Sequence, residues 1–199
     1  MRKSVANCLW VVTSILFFAA CNSNYTIDKK RGYFKIGFPE REYQVFDQAG
    51  YPYTFEYPVY ANVIKDSTFF ESKPENDWWI NIDFPRFAGR VFVSYKEIGK
   101  HRLDSLVNDA FTMSYKQHTY KASSIEDSVM QTPSGSSGIY FRLGGNTATA
   151  NQFFLTDSTK HFLRGALYFD ATPNEDSLGI VNDFLKQDLL HLINTLRWK

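Results

Sequence analysis

The stretch Asn151 to Phe169, NQFFLTDSTKHFLRGALYF, constrains the fold more than any other part of the chain. It reads as two strands joined at Asp157, Ser158, Thr159 and Lys160, a polar cluster of the kind that stops strands and makes turns. Side chains alternate across a strand, so Phe153 and Leu155 oppose Phe154, while Leu163, Leu167 and Phe169 oppose Phe162, Ala166 and Tyr168. Both faces are thus largely apolar. A hairpin with one wet face would alternate apolar with polar, so this one is predicted to lie inside a sheet covered on both sides.

Two helical stripes can supply the cover. From His101 to Lys116, apolar residues fall at Leu103, Leu106, Val107, Ala110 and Phe111, the spacing of a helix lying on a core. After Pro173, Asn174 is suited to cap a helix whose first turn holds Glu175 and Asp176, at the positive end of the helix dipole. Val181, Phe184, Leu185, Leu189, Leu192, Ile193 and Leu196 then line one face. Asp188 falls within that stripe, either at its margin or paired with a cation such as Arg164; the margin is the expectation.

The remaining strands are expected at Tyr33–Phe38, Trp78–Phe84, Arg90–Ile98, Ala122–Met130 and Ile139–Leu143, with PSGSSG as a loop and Gly144, Gly145 and Asn146 as a tight turn. Asp66 to Asp77 reads as a polar, mobile loop. From Tyr43 to Tyr60, Pro52 and Pro58 confine any strand to an edge or interrupt it. The fold class is therefore α+β, an antiparallel sheet between helices that ends in a long C-terminal helix. In pattern this resembles the PsbP and Mog1 group, an α/β/α sandwich.

The N-terminus reads as an export signal. Arg2 and Lys3 precede an apolar run from Leu9 to Ala20, shorter than the ~20 apolar residues a bilayer span takes. Phe18, Ala19, Ala20 and Cys21 resemble a bacterial lipobox, in which cleavage leaves a cysteine carrying diacylglycerol; ordinary secretory cleavage disfavours the large Phe18. The expected organisation is a signal at 1–20, a lipidated tether at 21–31 and one globular domain at 32–199. Of the two cysteines, Cys8 leaves with the signal and Cys21 is acylated, so neither disulfide nor thiol chemistry is expected of the domain. Loss of Arg2 and Lys3 leaves 20 cations against 21 anions, a balance without the electrostatic footprint of a nucleic-acid partner.

No catalytic set emerges. Ser158 and His161 stand beside Asp157, but three residues of one turn do not make a triad, whose members come from separate elements. His101, His118, His161 and His191 lack zinc-ligand spacing, and no cofactor motif is present. The expectation is a protein that is not an enzyme. The aromatics Tyr51, Tyr53, Tyr57 and Trp78 offer a glycan platform, peptidoglycan included, or else cover one side of the sheet, which is the preferred reading.

RGYFKIGFP at 31–39, YPYTFEYPVYA at 51–61, WWINIDFPRFAG at 78–89, QFFLTDSTKHFLRGALYF at 152–169 and the ending HLINTLRWK, with Cys21, resemble the gliding-motility lipoprotein GldD family over nearly the whole mature chain. The resemblance implies a lipid-anchored envelope protein facing the periplasm, working with other Gld proteins and the type IX secretion apparatus in a structural or assembly role. On the hairpin, the candidate partner-binding residues are the tip, Asp157, Ser158, Thr159, Lys160 and His161, with Arg164 if it reaches the sheet's rim.

Overall fold

The computed structural model describes residues 35–67 and 73–199. Contacts divide the chain at Lys35, and the second unit, Ile36–Lys199, carries every element below. The elements are β1 (Tyr43–Phe46), β2 (Tyr53–Pro58), β3 (Asn62–Lys65), β4 (Ile80–Phe84), β5 (Gly89–Glu97), α1 (Leu103–Tyr115), β6 (Ala122–Gln131), β7 (Ser137–Gly145), β8 (Asn151–Thr156), β9 (His161–Phe169), α2 (Glu175–Thr195) and β10 (Arg197–Trp198). The export signal, Cys21 and the tether lie outside the described residues, as does the start of the expected strand at Tyr33. From residue 35 to 42 the backbone forms no strand. Phe38 is held instead by its ring, stacked 4.3 Å from Phe184 on α2, because Pro39 and the charged run after it offer no ladder.

Seven antiparallel strands form the main sheet in the order β3-β4-β5-β9-β8-β7-β6. The hairpin β8–β9 is in the middle, as its two apolar faces require. On one face Phe153, Leu155, Leu163 and Leu167 join Leu185, Leu189, Leu192 and Ile193 of α2 in the larger core. On the other, Phe154 and Phe162 meet Leu106 and Ala110 of α1, with Phe141 and Leu143 of β7. Gly165 makes the first arrangement possible: a Cβ there would stand 2.4 Å from the Phe153 ring, which lies across β9.

A second sheet, β1-β2-β10, lies beside α2. The short strands agree with the two prolines: Pro52 precedes β2 and Pro58 closes it. Tyr53 and Phe55 point into the larger core, and Glu56 N donates to Thr195 Oγ1 at the end of α2. β10 follows α2 directly and pairs Trp198 with Tyr53. α2 begins as its sequence predicts, with Asn174 accepting from Ser177 N at 3.1 Å. Asn146, read as part of a turn, reaches further and accepts from Glu175 N at 2.9 Å, which fixes the β7–β8 loop to the helix start.

The Asp66–Asp77 loop falls partly outside the described residues. Its far end is pinned, since Asn76 donates to Tyr95 O and accepts from Trp78 N. Among the described residues no helix is long and apolar enough to cross a membrane.

Candidate functional site

The turn between β8 and β9 is built around one carboxylate. Asp157 Oδ1 accepts from the backbone N–H groups of Thr159, Lys160 and His161 at 3.0, 2.9 and 2.8 Å, and Oδ2 accepts from Thr159 Oγ1 at 2.9 Å. Partial desolvation works against ionisation, but these four donors outweigh it and hold the Asp157 carboxyl at about 2. Ser158 takes a left-handed φ of 63°, which the ring of bonds stabilises. The side chains of Ser158, Thr159 and Lys160 are exposed, on a backbone fixed from within.

His161 does not belong to that surface. It is buried, its ring stacked 4.9 Å from Trp198 and its Nδ1 2.6 Å from Tyr95 OH. Burial pushes its pKa below the usual value, against the opposing pull of Asp157. The polar tip therefore ends at Lys160. The strand alternation that points His161 inward is visible in the sequence, but the stacking partner, 37 residues further on, is not.

Arg164 lies away from the rim as well. It is in the middle of the main sheet, opposite Ser94 on β5 and Phe154 on β8, on the face that α1 covers. Its Nη2 donates to Gln152 Oε1, which also accepts from Ser114 Oγ at 3.3 Å. It is not the partner of Asp188. That carboxylate is buried rather than marginal, accepting from Tyr60 OH at 2.5 Å and Tyr43 OH at 3.0 Å, with Arg41 Nε at 3.3 Å. Burial first, then the hydrogen bond to Asp188 and the Asp188 charge, raise the Tyr43 hydroxyl to about 12. A lone acid in an apolar stripe was the visible signal for this junction; its donors come from the irregular segment that sequence patterns describe least well.

Of the aromatics, Tyr51 and Tyr53 are core, and Tyr53 OH donates to Trp78 O. Tyr57 and Trp78 are half-buried, and the Trp78 indole N–H donates to Gly50 O at 2.8 Å. Tyr57 and Trp78 pack against the larger core that contains Tyr51 and Tyr53, with the Trp78 ring 5.4 Å from Tyr95 on the main sheet. Among the described residues no group of three His, Cys, Asp or Glu side chains is placed to hold a metal ion.

The family described as gliding motility lipoprotein GldD matches residues 23–198. The chain belongs to this family. As a GldD-family member it is a lipid-anchored protein of the cell envelope with a role in gliding motility. No curated protein sequence matches it. Among solved structures it is similar to the solution structure of cyanobacterial PsbP (CyanoP) from Synechocystis sp. PCC 6803, with a TM-score of 0.49 and 13% identity over 83% of this chain and 97% of that one.

Proposed function

We propose that this GldD-family chain is a non-catalytic assembly component of the gliding machinery, and that it docks a protein of that machinery or of the type IX secretion apparatus through Ser158, Thr159 and Lys160. On this reading the signal at 1–20 is removed, Cys21 is acylated and the domain faces the periplasm. The tip carries the reading: three exposed side chains project from the central hairpin on a backbone pinned by Asp157. A preformed loop loses little conformational entropy on binding. The polar groups that a hydrolase would use have structural work instead, Asp157 in the turn, His161 against Tyr95 and Trp198, Asp188 between two tyrosines and an arginine.

Crosslinking in envelope membranes followed by pull-down tests this. The wild type should recover a motility or secretion component, and Lys160→Glu should lose it while the melting temperature stays within about 2 °C, as expected for an exposed position. Recovery of no such component by the wild type would sink the reading. Cys21→Ser should release the protein from membranes, and continued acylation of that variant would refute the lipidation site.

A further inference from the structure

A cleft of about 100 Å³ opens between α1 and the main sheet, and Arg164 lies in its wall. The side chain is largely buried at the sheet centre, and burial lowers its pKa. Among the described residues no carboxylate pairs with it; its hydrogen-bond partner is the neutral amide oxygen of Gln152. A guanidinium has five N–H donors, and a buried cation without a counter-charge costs several kcal/mol. Arg164 as a whole is not fully buried and lines the cleft, which leaves part of its donor set for the opening.

The surroundings maintain this state. Gln152 is itself fully buried, with Oε1 fixed by Arg164 and Ser114 and Nε2 left without a partner. His118, buried at the end of the same layer, has its pKa lowered by burial and then by the Arg164 charge, so it supplies no anion and resists adding a second cation. Lys96, also in the wall, is 3.5 Å from Glu75. Asp109 stands at the mouth on the exposed side of α1. Ser94, opposite Arg164 on β5, adds one hydroxyl, and the rest of the lining is apolar: Trp79, Leu106, Ala110, Met113 and Phe162.

We propose that this cleft binds a carboxylate on a short apolar stem, with Arg164 as the fork that takes its two oxygens. The planar guanidinium matches two coplanar oxygens, and the apolar walls match a stem of a few carbon atoms. A phosphate dianion is a poorer fit, since it would bring a second charge and no apolar part into walls that offer one unpaired cation. The carboxylate can come from a free short-chain acid or from the C-terminal residue of a protein. This proposal is independent of the hairpin tip, which joins β8 to β9 and does not line the cleft.

The test is isothermal titration of the full chain in detergent with propionate, with a pentapeptide ending in valine as free acid or amide, and with inorganic phosphate. Propionate or the free-acid peptide should saturate, and which of them does identifies the source; the amidated peptide should not bind. Arg164→Lys, which keeps the charge but not the fork, and Arg164→Met should each weaken binding at least about tenfold. Arg164→Met should hold or raise the melting temperature, because an apolar side chain replaces a buried charge. Asp109→Asn should tighten binding about two- to fivefold by removing a like charge at the mouth. Saturation by neither acid at ~50 mM, beyond the weakest useful range for so small a ligand, overturns the proposal. So does equal binding by Arg164→Met, or phosphate binding as tightly as the carboxylates.

Discussion

Removing the carboxylate of Asp188 should destabilise the domain by about 3–5 kcal/mol: two hydrogen bonds and an ion pair are lost, and relief of the desolvation penalty of the buried carboxylate offsets part of that loss. The structure breaks this figure into parts. Asp188 is 2% exposed and accepts from Tyr60 OH and Tyr43 OH, bonds to a charged acceptor worth about 1.5–3 kcal/mol each. The Arg41 side chain is 36% exposed, so its ion pair adds no more than about 1 kcal/mol. Asp188→Ala removes all three acceptor contacts and leaves two half-buried hydroxyls to find water. At about 2–4 °C per kcal/mol for a domain of this size, the melting temperature should fall by about 6–20 °C. Asp188→Asn keeps one acceptor oxygen and should lose about half as much. Thermal unfolding followed by circular dichroism measures both, with Arg41→Met as the control that costs about 1 kcal/mol or less. If Asp188→Ala melts within 2 °C of the wild type, or Arg41→Met costs as much as Asp188→Ala, the carboxylate is not the anchor described here.

Gly165→Ala should cost about 1–3 kcal/mol by overpacking, because its Cβ would meet the Phe153 ring at 2.4 Å; Phe153→Leu in the same chain should recover part of that loss, and additive costs would refute the contact. Asp157→Ala should cost about 1–3 kcal/mol by leaving three turn N–H groups without their acceptor, and an unchanged melting temperature would show the turn holds without it. The folded-state pKa values of His118 and His161 are lowered, so below pH about 6.5 the unfolded chain takes up protons that the native fold refuses. Stability should therefore fall between pH 7.5 and 5.5, less steeply in His161→Gln, and an identical slope in that variant would exclude His161 as a source. At the alkaline end Tyr43 titrates at about 12 against an ordinary 10, so its contribution, intact below pH 10, should be lost as pH rises through 12, and Tyr43→Phe should remove that part of the alkaline loss.

The main sheet was legible because its hairpin carries two apolar faces and both helices carry one stripe each, and these periodicities follow directly from backbone geometry. The Asn174 cap could be read for the same local reason. What escaped the sequence was long-range. Phe38 stacks on Phe184 where a strand was expected, and Asp188 takes its donors from residues 41, 43 and 60. At the site, Asp157 to Lys160 can be read as a turn from composition, whereas His161 reads as part of the tip and Arg164 joins it only if it reaches the rim, which it does not. Polarity says that a group needs a partner, not that the partner is water. His161 has Tyr95, and Arg164 has Gln152 on the neighbouring strand.

The position of β9 also bears on how the chain assembles. The strands β6 to β9 follow one another in sequence and can zip locally, and β3 to β5 can do the same, but the two arrays meet along β5 and β9. That seam joins residues from Gly89–Phe169 to Glu97–His161, across the whole of α1 and three strands. Closing so long a loop is the step that topology makes slow, so the transition state for folding should contain the β5–β9 seam while each hairpin array forms before it. Substitutions along the seam, Val91→Ala or Val93→Ala, should slow refolding, whereas Ile139→Val near the outer edge should act mainly by speeding unfolding.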